Sequence, residues 1–185
     1  MVAAPSRTIT AREFEAVAES PENADKILEL IAGEVCEVPS NAYASMISAR
    51  IAGYIFIYLL AHNIAYLTTE AGGYEIFGER YAPDVAVVRK EKQLEPVKTG
   101  YNPVPPDLAV EVDFPSTRES RHTLNMKLGS YLAAGTIVWI VNIDAQQIEV
   151  YAPGQPTRVL TINDTLDGDD VLPGFTLPVK DVFAG

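Results

Sequence analysis

Two short apolar runs that each contain a carboxylate constrain the fold more than any other feature of the sequence. The runs are YAPDVAVV at 81–88 and LAVEVDF at 108–114. Both are rich in β-branched residues, which is typical of strands near the centre of a sheet. A carboxylate inside such a strand loses hydration, so Asp84 and Glu111 each need a compensating partner if they are buried. The sequence therefore predicts a buried sheet that carries a polar site.

Local patterns around these strands predict a mixture of helices and further strands. Thr10 and Glu13 have the spacing of a capping box and predict a short helix, which precedes a hairpin with its turn at Ala32–Gly33. Asn41 is a suitable N-cap for the long apolar segment that follows, which we expect to be a largely buried helix. A meander of IAYLTTE, YEIF and YAPDVAVV should come next, and the later strands should be TIVWIVNI, QQIEVYA, RVLTI and VLPGFTLPV.

The segment between the two runs, 89–106, mixes charges, glycine and prolines and predicts a loop. After the second run, Ser116 and Glu119 have the spacing of another capping box. They predict a helix through Tyr131 that ends at Gly135. No repeats or linkers interrupt the chain, so we expect residues 1–185 to form a single α/β (α+β) domain.

The sequence also favours a cytoplasmic protein. Cys36 is the only cysteine and cannot form an intramolecular disulfide. The N-terminus lacks the basic and then apolar pattern of a signal peptide. The longest apolar stretch is interrupted by Gly53, His62 and Asn63, so we expect no membrane span and no membrane partner.

The charge balance argues against strong non-specific attraction to nucleic acid. The chain has 14 Lys and Arg against 25 Asp and Glu, which gives a formal net charge of -11. Affinity for nucleic acid depends on cations that neutralise phosphates. Any such role therefore requires a local basic patch, bound metal ions or a second subunit.

Asp84 and Glu111 have the chemistry of a divalent-cation site. Hard ions such as Mg²⁺ bind carboxylate, carbonyl and water oxygens, and commonly use one or two protein carboxylates together with substrate phosphate. The helix after Glu111 carries a basic run at 118–122 and then Lys127, which is one helical turn from Tyr131. A lysine beside two metal-bound carboxylates can orient a water and stabilise developing negative charge.

Each of these residues also has an ordinary structural interpretation. An aspartate that follows a proline, as Asp84 does, often just begins a strand at a loop. Glu111 alternates with Val110 and Val112 and so fits a solvent-facing position. Lys127 on an amphipathic helix is commonly solvated. The residues by themselves leave both interpretations open.

An ordered series of motifs resembles the Uma-two family of restriction-endonuclease-like proteins. The motifs are LELIAGEVCEVPS, YAPDVAVV, PPDLAVEV followed by FPSTR, K-GSYLAAGTIVWIV with IEVY, and LPGFTLPV. The resemblance covers nearly the whole chain. It implies the PD-(D/E)xK nuclease superfamily, whose fold is a mixed β-sheet flanked by helices, here with an N-terminal hairpin and extra C-terminal strands.

The resemblance also implies roles for individual residues. Asp84 and Glu111 match the motif acids and would bind Mg²⁺ or Mn²⁺, with the carbonyl of Val112 as a further ligand. Lys127 matches a motif lysine that has moved from the strand to the following helix. Glu34, after the hairpin turn, matches a recurrent acid and would contact the metal or a metal-bound water.

The sequence departs from the family pattern at two positions. Asp113 occupies the position two residues after Glu111, which is usually apolar in the family. A histidine that often begins the second helix of relatives, near Ala44, is absent here. An extra acid beside Glu111 would either disturb the site or face water.

Taken together, these features predict a metal-dependent endonuclease that hydrolyses DNA and forms a homodimer. Two other functions stay open. One is a catalytically silent binding or assembly protein with the same fold, which the acidic charge and Asp113 favour. The other is a phosphoesterase for a small phosphorylated ligand, which an acidic surface would tolerate better than long DNA.

Overall fold

The structure, a computed structural model, describes residues 8–38, 41–113 and 118–184, without the side chains of 113 and 118–120. Its helices are α1 (Ala11–Ala18), α2 (Ala42–Ala61), α3 (Arg118–Ala133) and α4 (Val179–Phe183). Its strands are β1 (Leu28–Ile31), β2 (Glu34–Glu37), β3 (Ala65–Thr69), β4 (Tyr74–Ile76), β5 (Glu79–Tyr81), β6 (Val85–Arg89), β7 (Leu108–Asp113), β8 (Ile137–Asn142), β9 (Gln147–Tyr151), β10 (Arg158–Leu160), β11 (Thr165–Gly168) and β12 (Leu172–Pro178).

A six-stranded mixed sheet lies at the centre of the fold. Its strand order is β10-β9-β8-β7-β6-β3. The pair β7–β8 is parallel, and the other neighbours in this sheet are antiparallel. A parallel pair requires a crossover connection, and α3 lies on the crossover between β7 and β8. The crossover therefore brings α3 back across the sheet that contains Glu111.

Two smaller sheets complete the β structure. The N-terminal hairpin belongs to a four-stranded sheet with the order β2-β1-β5-β4, and β11 pairs with β12 near the C-terminus. The observed architecture is a mixed α+β fold with several sheets flanked by helices, in agreement with the predicted fold class.

Side chains of the central sheet alternate between two hydrophobic layers. Val85, Val87 and Val110 pack in one cluster with residues of α2, α4 and the C-terminal hairpin. Ala86 and Ala109 belong to a second cluster, which includes residues of α3 and of the four-stranded sheet. Asp84 is two residues before Ala86, and Glu111 is two residues after Ala109, so their side chains point to the same face as this second set. Both carboxylates therefore lie on the face covered by α3.

Several predicted local features are confirmed. The Thr10 hydroxyl accepts a hydrogen bond from the N–H of Glu13, whose carboxylate accepts one from the N–H of Thr10, and this completes the capping box. The hairpin turn lies at Ala32–Gly33, where both residues have positive φ. Asn41 caps α2. The proposed capping box of Ser116 and Glu119 lies outside the described residues and side chains.

The predicted meander is wrong. β3 pairs directly with β6, whereas β4 pairs with β5, a short strand that the sequence interpretation missed. The β4–β5 turn is Phe77–Gly78, and both residues have positive φ. Pro83 has no N–H to donate to a ladder, and it lies between β5 and β6. The chain thus passes from one sheet to the other immediately before Asp84.

The prediction of a largely buried α2 is also wrong in part. Ile51 and Ile55 are fully buried on its inner face, but Phe56, Ile57 and Leu60 are exposed on its outer face. By length and composition alone α2 could cross a membrane, a property that it shares with core helices of globular folds. Its inner face packs against the central sheet.

Candidate functional site

Asp84 is the first residue of the site, and its carboxylate is held by a hydrogen bond from the backbone of β7. The Asp84 carboxylate accepts a 2.7 Å hydrogen bond from the backbone N–H of Val112. Burial raises the pKa of Asp84, and the hydrogen bond from Val112 offsets part of this rise. The register pairs Val85 with Val110, so the next opposed positions are Asp84 and Glu111. The two predicted acids are therefore neighbours across adjacent strands.

Glu111 is only 8% exposed and is held by two side chains of α3. The Nζ atom of Lys127 lies 2.8 Å from each oxygen of the Glu111 carboxylate. The Tyr131 hydroxyl donates a 3.1 Å hydrogen bond to Oε1 of Glu111. Burial raises the pKa of Glu111 to about 7, although the positive charge of Lys127 acts to lower it. The solvent-facing interpretation of Glu111 is therefore wrong.

Lys127 lies at the centre of the site and is 5% exposed. Its ammonium contacts Glu111 and also Glu29, whose Oε1 atom is 2.8 Å away. Burial alone would lower the pKa of Lys127, but the charges of the two carboxylates outweigh burial and raise it. The lysine is therefore protonated and bridges two acids, and the interpretation of Lys127 as a solvated residue is wrong.

Glu29 is the member of this cluster that the sequence interpretation missed. It lies in β1, is 5% exposed, and accepts a second hydrogen bond of 2.7 Å from the backbone N–H of Ala82. Its sequence signal resembles that of Glu111, since both are single acids within an apolar run, here LELI at 28–31. The family resemblance points instead to Glu34, the acid after the hairpin turn.

That predicted acid, Glu34, has a different position. It is opposite Ile31 in the β1–β2 register and its side chain is exposed. Glu29 lies on the same face of the hairpin but two residues further from the turn, and it is Glu29 that contacts Lys127. The hairpin carboxylate that the structure brings to the lysine is therefore Glu29.

Two other predicted features lie around the site. The side chain of Asp113 lies outside the described part of the chain, and so does that of Arg118. Arg121 and His122 are exposed on the early turns of α3, before Lys127. These exposed residues do not belong to the buried cluster.

A layer of aromatic residues supports the cluster. The Tyr81 hydroxyl is 2.9 Å from Oγ of Ser130, and the rings of Tyr81 and Tyr131 are 5.5 Å apart. Tyr81 and Tyr131 are both almost fully buried. Their packing joins α3 to the four-stranded sheet next to Lys127.

An open groove of about 350 Å³ lies beside β1. Its wall includes Leu28, which precedes Glu29 in β1, and Ala82, whose N–H donates to Glu29. Lys26 and Glu70 also line it, and the negative charge of Glu70 contributes to the raised pKa of Asp84. Leu28 and Glu29 are consecutive in β1 and point to opposite faces, so the Leu28 wall of the groove lies on the other side of β1 from Lys127.

The donor set fits a hard divalent cation with few protein ligands. Among the described residues, no group of three or more His, Cys, Asp and Glu side chains is arranged to hold a metal. Asp84 and Glu111 nevertheless offer two carboxylates on one face. The N–H and C=O of a strand residue point toward the same neighbouring strand, so the Val112 carbonyl faces the side of Asp84. Two carboxylates and a carbonyl, completed by water, suit Mg²⁺.

Comparison with known protein families decides the relationship of the chain. The model of the family Uma2, described as "Putative restriction endonuclease", matches residues 11–180. The chain belongs to the Uma2 family. The resemblance predicted from the motifs is therefore confirmed.

The fold is also that of a solved structure. A protein from Anabaena variabilis, described as "a putative nuclease belonging to DUF820", matches with a TM-score of 0.76. The match covers 95% of this Uma2 chain and 97% of that protein, with 23% sequence identity. At this identity the likeness establishes the fold alone. A comparison with curated proteins finds no match.

Proposed function

We propose that this Uma2 protein is a metal-dependent endonuclease that hydrolyses DNA phosphodiester bonds. The observation that carries the proposal is the buried cluster in which Lys127 contacts Glu111, next to Asp84 on the same sheet face. Two acids and a lysine with this disposition have the chemistry of phosphodiester hydrolysis. Membership of a family described as restriction-endonuclease-like supports the same conclusion.

Asp84, Glu111 and the carbonyl of Val112 are the groups that would hold Mg²⁺ or Mn²⁺. Bound there, the ion would polarise a phosphoryl oxygen and lower the pKa of a bound water. The hydrogen bond from the Val112 N–H fixes one oxygen of Asp84, and Tyr131 fixes one oxygen of Glu111. These contacts hold both carboxylates in place before a ligand arrives, which lowers the cost of organising the site.

Lys127 supplies positive charge from the protein itself. Its ammonium remains protonated because two carboxylates surround it. It can therefore donate a hydrogen bond to an attacking water or to a phosphate oxygen as negative charge develops there. The aromatic layer around α3 limits access of bulk water, which strengthens this interaction.

The acidic charge of the chain limits how a DNA substrate binds. A net charge of -11 repels phosphates at long range, so affinity must come from close contacts. Arg121, which is exposed to solvent, is a cation on the same helix as Lys127. We therefore expect weak binding without a divalent ion and a strong dependence on salt.

A nicking assay on supercoiled plasmid DNA with Mg²⁺ or Mn²⁺ tests the proposal. We expect cleavage by the unmodified protein and none by Glu111→Gln, which retains the shape of the side chain but removes its charge. Asp169→Asn is the matched control, because it removes a carboxylate from a surface ion cluster and should cut normally. Equal activity of Glu111→Gln and the unmodified protein would rule out the assigned site.

One observation favours a second candidate, a binding or assembly protein that has retained the nuclease fold. Glu111 already contacts Lys127 through both oxygens, so the ion pair competes with metal binding. Isothermal titration calorimetry with Mg²⁺ and Mn²⁺ separates the candidates. Heat of binding that disappears in Glu111→Gln supports the nuclease, whereas no binding at millimolar ion supports the silent protein.

We also propose that two copies of the chain pair through the outer face of α2. Phe56, Ile57 and Leu60 on this face are 53%, 68% and 71% exposed. The segment 51–64 contains no Asp, Glu, Lys or Arg, in a chain with a net charge of -11. Two such chains repel each other least where this uncharged face is the contact. The face also lacks the cations by which interfacial helices bind anionic membranes.

Light scattering after size-exclusion chromatography tests the pairing. The unmodified protein should be a dimer at micromolar concentration, and Ile57→Lys should be a monomer. Leu94→Lys is the matched control, since Leu94 is 74% exposed and belongs to a loop, not to the outer face of α2. A monomer at every concentration, or binding of α2 to lipid vesicles instead, would contradict the proposal.

A further inference from the structure

The contacts of Glu29 connect two parts of the site that the motif residues alone leave unconnected. One oxygen of Glu29, Oε1, accepts hydrogen bonds both from Nζ of Lys127 at 2.8 Å and from the N–H of Ala82 at 2.7 Å. Lys127 belongs to α3, whereas Ala82 lies two residues before Asp84. A single side chain from the N-terminal hairpin therefore joins the lysine to the segment that leads into the first acid.

The contact of Lys127 with a second carboxylate is most important when Glu111 binds another partner. In the absence of a cation, Lys127 is shared between Glu111 and Glu29. If Glu111 binds a divalent cation, the negative charge of its carboxylate is shared between the cation and Lys127, and the cation also repels the Lys127 ammonium. Lys127 is only 5% exposed, so its charge is poorly hydrated and still needs a carboxylate partner. Within the described part of the chain, Glu29 is then the carboxylate that stays in contact with the Nζ atom of Lys127.

Packing alone does not account for an acid at position 29. Its strand neighbours Leu28 and Leu30 pack in a small cluster with Phe14. An apolar residue at a buried ionic position often leaves stability unchanged or higher. Glu29 instead uses its buried carboxylate for two hydrogen bonds, one from Lys127 and one from the segment that leads to Asp84. This pattern indicates a role in arranging the site.

We infer that Glu29 is the positioning residue for Lys127, so that the N-terminal hairpin is an integral part of the proposed active site. Glu29 acts through the lysine and has no contact with the reacting atoms in this inference. The inference rests on the proposed nuclease function for its effect on activity. Its effect on the lysine itself does not depend on catalysis.

Two variants with opposite expectations test the inference in cleavage assays. Glu29→Gln retains an Oε1 atom that can accept both hydrogen bonds, so its kcat should stay within about tenfold of the unmodified protein. Glu29→Leu removes both bonds and should lower kcat about 100-fold with little change in KM, the scale of a small misplacement of a reacting group. The matched control is Glu75→Gln, which removes a β4 carboxylate that pairs with Arg80, and it should be fully active. Equal activity of Glu29→Leu and the unmodified protein would overturn the inference.

A second measurement is independent of activity. Nitrogen-15 NMR at one fixed pH follows the Lys127 ammonium, whose protons exchange slowly while they are hydrogen-bonded and buried. The signal should persist in the unmodified protein with and without Mg²⁺, and should be lost or strongly shifted in Glu29→Leu. An unchanged signal in Glu29→Leu would overturn the inference even if DNA is cut. Absence of cleavage by the unmodified protein would instead overturn the proposed function, and the metal-free spectra would still test Glu29.

Discussion

Two ion clusters of this protein each place one cation between two carboxylates, and they differ in burial. In the candidate site, the side chains of Lys127, Glu29 and Glu111 are 6%, 7% and 10% exposed. Near the C-terminus, Arg158 contacts two aspartates at 2.9 and 2.7 Å, and these three side chains are 40%, 49% and 29% exposed. The two clusters have the same formal charge, so burial is the main difference between them.

Burial changes what an ion cluster does for a protein. Surface pairs gain little because water and salt screen them. Buried pairs interact strongly, but each member has lost its hydration, and removal of one member leaves the others uncompensated. The cluster at Lys127 is therefore costly to maintain and sensitive to change, whereas the cluster at Arg158 is neither. Such a cost is typical of functional sites.

Substitution of Lys127 should have the largest effect of any single change in either cluster. Lys127→Met retains most of the packing volume but leaves Glu29 and Glu111 buried without a cation. We expect the free energy of unfolding to fall by about 3–5 kcal/mol and DNA cleavage to be lost. Urea unfolding measures the first effect and plasmid nicking the second.

The triple variant Glu29→Gln, Glu111→Gln, Lys127→Met separates stability from function. It removes all three charges together, so most of the lost stability should return while cleavage stays absent. If Lys127→Met alone were as stable as the unmodified protein, the buried cluster would not differ from the surface cluster in its sensitivity to the loss of one charge.

Removal of the Tyr131 hydroxyl should have an intermediate effect. Tyr131 is fully buried and donates to the Glu111 carboxylate, so Tyr131→Phe leaves that oxygen with one partner fewer. We expect a loss of about 1.5–3 kcal/mol in thermal or urea unfolding. Tyr151→Phe removes a similar hydroxyl contact with Glu149 on a partly exposed strand. Its smaller effect, about 1 kcal/mol or less, is the control, and equal losses would contradict the role of burial.

Metal affinity should depend on pH through Glu111. Because burial raises the pKa of Glu111 to about 7, its contribution to the stability of the metal-free protein is complete below about pH 4.5 and is lost as pH rises through about 7. A cation binds the deprotonated carboxylate. Affinity for Mn²⁺ should therefore rise about tenfold per pH unit below pH 7 and level off above it.

Calorimetric titration with Mn²⁺ at pH 6, 7 and 8 measures this dependence. The rise in melting temperature on addition of Mg²⁺ should follow the same order. Glu111→Gln should show no heat of binding at any of these pH values. An affinity that is constant between pH 6 and 8 would show that Glu111 is not the metal-linked group.

The smallest effect is expected at the surface cluster. Arg158→Gln breaks ion pairs with Asp167 and Asp169 that are well exposed to solvent. The loss should be at most about 1 kcal/mol and smaller still in high salt, with cleavage unchanged. Urea unfolding at low and high salt provides the measurement. A loss comparable with that of Lys127→Met would contradict the comparison of the two clusters.

The sequence alone determined the local elements and the two acids of the central strands. The capping box at Thr10, the hairpin turn at Ala32–Gly33 and the apolar runs of β6 and β7 depend on neighbours in the chain, so short patterns predict them. Asp84 and Glu111 can also be identified from short patterns, because each is a charged residue in an apolar run.

Only the tertiary structure decided which carboxylates meet Lys127 and how the strands pair. Glu29 and Lys127 are 98 residues apart, so the apolar run around Glu29 indicates a buried acid but does not identify Lys127 as its partner. The change of sheet at Pro83 and the exposed outer face of α2 also depend on long-range packing. Local patterns specify backbone shape, whereas the partner of a buried charge depends on which distant segments pack around it.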